Sequence, residues 1–234
     1  MKKIAILQSN YLPWKGVFDL INKVDIFVFL EDVQYTTRDW RNRNKILTSE
    51  GTKWITVPIN NKDKREQLIY EATISNDEEW QKKHFNAFQT NYGRAPYYKQ
   101  YKWIIEDIYL NRKWNSISEL NKYATKLISK ELRIKTEFID SKDLNTTGTK
   151  DDKLIQICKK LNADYYISGP AAKNYIVNEK FENNNIELDY IGYEYPIYKQ
   201  MFESFNHNVT ILDLIFNCGE NAPYYIWGWK NDTI

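Results

Sequence analysis

A chain of 234 residues has room for one large domain, or one domain with a sizeable insertion. It can hide roughly 70% or more of the surface its unfolded form exposes. Its 33 Lys and Arg against 31 Asp and Glu leave a formal net charge of +2, which excludes a polyanion-coating protein and confines phosphate binding to local patches.

Two cysteines make no disulfide framework, and the opening "MKKIAILQS" has an apolar run, Ile4–Leu7, too short for an export signal. No segment approaches the roughly 20 apolar residues of a membrane span. The expectation is a cytoplasmic, soluble protein. Aromatic residues reach 15%, enough to fill a core or to stack on sugar and base rings.

In chain order, Ile4–Leu7 reads as a buried strand. "NYLPWKG", residues 10–16, is a turn crowded with large side chains, and a helix follows over Gly16–Lys23. Ile26–Leu30 is a second strand, followed by the basic stretch "LEDVQYTTRDWRNRNK". "TSEGTK" at 48–53 marks a hairpin turn ahead of a strand at Trp54–Ile59. Residues 77–132 hold three helical stretches, with Asp77 as an N-cap and Gly93 and Pro96 as stops. They predict a helical insertion that covers the sheet or forms a lid. Strands return at Thr136–Ile139, Tyr165–Ile167 and Ile186–Tyr190, with helices at Asp151–Leu161 and Asn174–Phe181 between them. "SKDLNTTGTKDDK" at 141–153 reads as a mobile loop, and the tail after Gly219 as irregular and aromatic. This alternation predicts an α/β fold: one domain over 1–234 with a mainly parallel, doubly wound, Rossmann-like sheet.

In such sheets ligands sit beyond the carboxyl ends of the strands. After the first strand come Gln8, Asn10 and Tyr11 as polar contacts and Trp14 as a wall, although Pro13 and Trp14 could simply pack the first crossover. After the second strand, Glu31 and Asp32 precede Gln34 and Tyr35, then Arg38, Trp40, Arg41, Asn42, Arg43 and Lys45. Guanidinium forks suit phosphate oxygens and Trp40 could stack on a ring; a solvated basic loop is the bland alternative. In an extended loop Arg41 and Arg43 share a face, which would let both grip a diphosphate. After the fifth strand, "SGPAAKNY" places Ser168 and Gly169 before a helix, where backbone N–H groups can approach an anion, with Lys173 and Tyr175 beside them. His84 shares a helical face with Trp80 and Phe88. It is either a packed histidine or a general base projecting from the insertion, with Asp32 as a second candidate base. His207 falls in a polar turn, and Cys218 would be a nucleophile only beside His84. Two scattered His and two Cys assemble no metal motif.

"ILQSNYLPWKGVFDLI", "VFLEDVQYTTRDWRNRNKI", "DYYISGPAAKNYI" and "TILDLIFNCG" together resemble the WbqC-like family, in order and over nearly the whole chain. Ser9 stands where proline is expected and Thr210 where serine is usual. The resemblance implies a bacterial cytoplasmic protein encoded beside O-antigen and surface-polysaccharide genes, decorating a nucleotide-linked sugar. A fainter likeness links the first strand, turn and helix to nucleotidyl transferases carrying His-x-Gly-His. Laid on that pattern, Trp14 and Val17 occupy the histidine positions and only Gly16 matches, which disfavours nucleotidyl transfer.

The resemblance to the WbqC-like family implies an N-acyl or N-aminoacyl (for example glycyl) transferase acting on a nucleotide-linked amino sugar. His84, Asp32 or Glu31 would be the base; Asn10, Gln34, Asn42 or backbone N–H groups near Gly169 would face the oxyanion; Arg38, Arg41 and Arg43 would hold the diphosphate. The donor is open between an aminoacyl-tRNA, an acyl carrier and a CoA thioester. No cofactor, duplex nucleic acid or membrane partner is indicated. The competing reading is a non-catalytic nucleotide-sugar binding or assembly protein, in which His84 only packs. Burial of His84 beneath the insertion would favour it.

Overall fold

The computed structural model describes residues 1–60, 66–76, 79–203 and 205–233. Five parallel strands form the main sheet in the order β5-β2-β1-β6-β7. They are β1 (Lys3–Leu7), β2 (Ile26–Phe29), β5 (Glu137–Asp140), β6 (Tyr165–Ser168) and β7 (Glu187–Tyr190). β1 lies at the centre, between β2 and β6, as its uninterrupted apolar run requires.

Successive residues of the central strands face opposite sides. Ala5, Phe27, Phe29 and Ile167 join one core, while Ile4, Ile6, Ile26, Val28 and Tyr166 join another. The first core is closed by α1 (Lys15–Asn22), α5 (Ile117–Glu131) and α8 (Ile211–Cys218), through Phe18, Ile21, Leu120, Ile128 and Leu212. The second is closed by α6 (Lys150–Lys160) and α7 (Asn178–Glu182), through Ile157, Cys158 and Phe181. Both faces are covered, so the fold is α/β and doubly wound. The direction of strand order reverses between β1 and β6, and a crevice belongs at such a switch point. The β1–β6 ladder pairs Lys3 with Tyr165 and Ile4 with Tyr166, whereas β1 and β2 pair from Ile4 through Leu7.

Between β2 and β5 the chain builds an antiparallel hairpin, β3 (Arg43–Thr48) and β4 (Gly51–Thr56), and then α2 (Trp80–Tyr92), α3 (Tyr98–Tyr101), α4 (Trp103–Tyr109) and α5. Asp77, expected as an N-cap, falls outside the described residues. The hairpin turn lies where "TSEGTK" predicts it, with Gly51 at φ +101°. Two expectations shift. Trp54–Ile59 becomes β4, ending at Thr56, and the supposed loop after Asn42 is β3. Arg43, Lys45 and Thr48 are half-buried while Asn44 and Ile46 are buried, so charges on one face hide a strand signal on the other. The hairpin is tied to α2 and α8: Leu47 N–H donates to Tyr92 Oη (2.9 Å), and Tyr92 Oη donates to Asp213 Oδ2 (2.9 Å). The expected mobile loop at 141–153 instead forms a 3₁₀ turn at Ser141–Leu144 and the start of α6. The tail after Gly219 coils in 3₁₀ turns that bury Ala222 and Ile226. No described helix is long and apolar enough to cross a membrane.

Candidate functional site

The turn after β1 is held in an uncommon shape from three directions. Leu12 has φ +42°, in the left-handed region that disfavours a branched side chain. Asn44 on β3 donates from Nδ2 to the carbonyls of Tyr11 (3.1 Å) and Leu12 (2.7 Å). Tyr11 N–H donates to the Trp40 carbonyl (2.8 Å), and Ile211 N–H at the start of α8 donates to the Pro13 carbonyl (2.9 Å). Trp14 then lays its indole over Gly16, where any Cβ would collide with the ring. The same indole meets Tyr193 and Tyr195 edge-on, with ring centroids 4.8 and 5.9 Å away. Strain braced this heavily accompanies functional sites.

The braced turn walls a cavity of about 250 Å³ lined by Asn10, Pro13, Trp14, Trp40, Asn44 and Asn208. Drug-sized ligands need about 300 Å³ or more, so this space suits one ring rather than a whole nucleotide. Two indoles offer stacking faces and three carboxamides offer donors and acceptors, with no charge among them. Trp40 is 43% exposed and leans on Trp54 (5.1 Å), whose ring carries Arg43 at 4.2 Å and Lys45 at 5.0 Å. An aromatic and cationic strip thus runs from the cavity onto the hairpin.

Behind the cavity lies a polar network. Arg41 Nη1 donates to Asn10 Oδ1, Arg41 Nη2 lies 3.7 Å from Asp39 Oδ2, and Asn121 on α5 donates to the Arg41 carbonyl (2.8 Å). Burial lowers the proton affinity of Arg41, opposed by the charges of Asp39 and Glu31. Tyr175, on the loop after β6, also acts on Arg41 electrostatically. Among the described residues, Arg41 Nε and the hydroxyl of the buried Tyr35 find no hydrogen-bond partner. Glu31 is fully buried and accepts from Ser9 N–H (2.9 Å) and Ser9 Oγ (3.1 Å). Burial raises its pKa, and the hydrogen bonds from Ser9 limit the rise.

Arg41 and Arg43 do not share a face free for a diphosphate, because Arg41 is engaged with Asn10 and Asp39 while Arg43 stacks on Trp54. His84 is withdrawn from the crevice. It is 6% exposed beneath the insertion, its Nδ1 meets Tyr11 Oη at 2.8 Å, and Trp80 and Tyr109 pack edge-on against its ring. Burial lowers its pKa to about 4, with a hydrogen bond to the Thr56 backbone acting the other way. Asp32 forms a 2.6 Å ion pair with Lys153 and accepts from the buried Ser141 Oγ, which ties the ends of β2, β5 and α6 together.

The remaining expected residues divide. Gln8 is half-buried at the carboxyl end of β1. Gln34 bridges to Leu68 through the backbone, and Arg38 is exposed with φ +58°. Asn42 is buried and donates to the Val57 carbonyl (2.9 Å). Ser168 is buried and accepts from Tyr166 Oη (3.2 Å). Gly169 faces the Tyr193 hydroxyl. Lys173 lies over the Tyr190 ring at 5.1 Å, and Tyr175 is 67% exposed. The sequence reading missed Asn44, Asn208 and Asn121. For Asn44 the signal was available, as a polar residue on the inward face of an alternating run.

Among the described residues, no group of three His, Cys, Asp or Glu could hold a metal ion. The WbqC-like protein family model matches residues 8–225. The uncharacterized protein Rv1507c of Mycobacterium tuberculosis is 40% identical over 227 residues, covering 97% of this chain and 98% of that protein. No solved structure matches the chain. Turn, basic hairpin, post-β6 loop and α8 all fall inside the matched span, and the chain belongs to the WbqC-like protein family.

Proposed function

We propose that the protein binds a nucleotide-linked amino sugar at the carboxyl edge of its sheet and transfers an acyl or aminoacyl group to the sugar nitrogen, in surface-polysaccharide biosynthesis. The observation that carries this reading is the cavity between Trp14 and Trp40, with the carboxamides of Asn10, Asn44 and Asn208. Indole faces match the apolar face of a sugar ring, and carboxamides match its hydroxyls. The diphosphate would lie along the hairpin strip, where Arg43, Lys45 and the exposed Arg38 supply charge. Arg41 shapes Asn10 rather than gripping phosphate.

The test is a melting screen against nucleoside-diphosphate-linked amino sugars, followed by mass spectrometry of mixtures with acyl thioesters and aminoacyl-tRNA. Ligand at 100 times Kd stabilises by about 2.7 kcal/mol, or roughly 5–11 °C for a chain of this size. A panel that leaves the melting temperature unmoved would sink the reading. A non-catalytic binding protein is the second reading, favoured by the burial of His84. It predicts stabilisation by a nucleotide sugar with no product from any donor.

A further inference from the structure

A second cavity, of about 410 Å³, opens at the outer end of the sheet, between α5 and the edge strand β5. Its floor comes from two parallel strands. Phe138 of β5 is half-buried and stacks on the buried Phe29 of β2, with ring centroids 5.5 Å apart and planes 16° from parallel. Lys122 and Lys126 lie one turn apart on α5 and bring two ammonium groups to the space. Lys142, in the 3₁₀ turn after β5, brings a third. Ligands of parallel sheets sit beyond the carboxyl ends of the strands, and the volume clears the roughly 300 Å³ that a drug-sized ligand needs.

Two carboxylates also line the cavity, and one of them is already engaged. Asp140 Oδ2 accepts from Lys122 Nζ at 2.5 Å, and its Oδ1 accepts from the Lys142 N–H at 3.1 Å. Asp143 is exposed. Among the described residues no carboxylate pairs with the ammonium of Lys126 or of Lys142. Lys126 Nζ instead lies 5.9 Å from the centroids of both Phe29 and Phe138, at the outer limit of a cation–π contact. An ammonium held so weakly turns readily to a phosphate oxygen, where charge-assisted hydrogen bonds are strong. The cavity between Trp14 and Trp40 has no charged residue in its lining; this one sets cations around an aromatic floor.

We infer that this cavity is a nucleoside-polyphosphate site, with the base against the Phe138 ring and the phosphates on Lys126 and Lys142. Any base presents a π-face to an aromatic floor, so stacking supplies affinity without selecting one base. Lysines bind phosphate as mobile point charges, which suits an open cavity better than a rigid fork would. Lys122, fixed by Asp140, closes the wall. The site shares a helix with the sugar cavity. Asn121 holds the Arg41 carbonyl behind that cavity, and the next residue, Lys122, lines this one. The nucleotide belongs either to the linked sugar or to an activated acyl donor, since both carry a base and phosphates.

The experiment titrates the full chain with ADP, coenzyme A and inorganic pyrophosphate by calorimetry, at low and at high salt. ADP should bind, more weakly as salt rises, and should protect Lys126 and Lys142 from trace acetylation in proportion to occupancy. Lys126→Ala and Lys142→Ala should each weaken ADP roughly tenfold or more, while the melting temperature moves by less than about 2 °C. Phe138→Leu should weaken ADP and leave pyrophosphate unchanged; equal loss of both would overturn the nucleoside assignment. Failure of all three probes to bind, or binding that both lysine variants keep, overturns the inference outright. ADP that binds alongside a saturating amino-sugar nucleotide gives the site to the donor, and ADP that is displaced gives it to the nucleotide of the sugar. If no sugar nucleotide binds, the sugar-binding reading fails and this site is decided by the ADP titration alone.

Discussion

Arg41 and Asn10 are joined from guanidinium to carboxamide, a bond that fastens the loop after β2 to the turn after β1. Asn10 lines the cavity, so the orientation of its amide depends on a residue 31 positions away. Hydrogen bonds to a charged group contribute about 1.5–3 kcal/mol. Arg41→Ala should therefore lower the melting temperature by roughly 3–12 °C and weaken sugar-nucleotide binding as well. Calorimetric melting and titration on one preparation check both; a variant that melts like the wild type would show the bond to be idle.

His84 makes stability depend on pH in a defined sense. Its pKa in the folded protein is about 4, below the 6.5 of an unfolded chain, because burial disfavours the imidazolium. The unfolded form therefore binds the proton first as pH falls. The stability is fully present above pH 6.5 and is lost progressively towards pH 4, by about 3 kcal/mol in all. His84→Gln should shrink the difference in unfolding free energy between pH 7.5 and pH 4.5, whatever it does to the value at pH 7.5. Denaturant titrations at the two pH values measure it, and an unchanged difference in the variant would rule the histidine out as its source.

Gly16→Ala tests the wall of the cavity. The new methyl would enter the space filled by the Trp14 indole, so the indole must move away from Tyr193 and Tyr195. Overpacking of this kind costs about 1–3 kcal/mol. The loss should be accompanied by reduced ligand affinity. Trp14→Phe in the Gly16→Ala background should restore part of the stability by making room, and no restoration would place the clash elsewhere.

Trp40→Ala is expected to behave in the opposite way. The ring is 43% exposed and joins no buried core, so the melting temperature should change by less than about 2 °C. Loss of a stacking face should weaken binding roughly tenfold, consistent with about 1–1.5 kcal/mol for an aromatic contact. Titration calorimetry with the best ligand of the melting screen reads the change.

The main sheet was legible because its strands are short apolar runs buried on two faces, such as Ile26–Phe29. β3 was less so, because Arg43 and Lys45 alternate with Asn44 and Ile46 and the cations drew the reading towards a loop. The position of His84 beside Trp80 was visible in the i, i+4 spacing. Its link to Tyr11 spans 73 residues and exists only after α2 packs over the turn. The cavity was half legible. Asn10 and Trp14 follow a strand end, but Asn208 arrives from the far end of the chain, and no local pattern marks it. Lys15 was read as part of the crowded turn, whereas it is the buried first residue of α1.

The short ladder between β1 and β6 has a mechanical consequence. Past Ile4 and Tyr166 no register joins the two strands, although β1 remains zipped to β2 up to Leu7. The sheet is thus a pair of shears pivoted at Lys3–Tyr165 and Ile4–Tyr166, with Trp14 on one blade and Ser168 and Gly169 on the other. Beyond the pivot, separating the blades disturbs no paired residues of the β1–β6 ladder. The blade tips can therefore change in length and side chain while the pivot and both cores stay as they are.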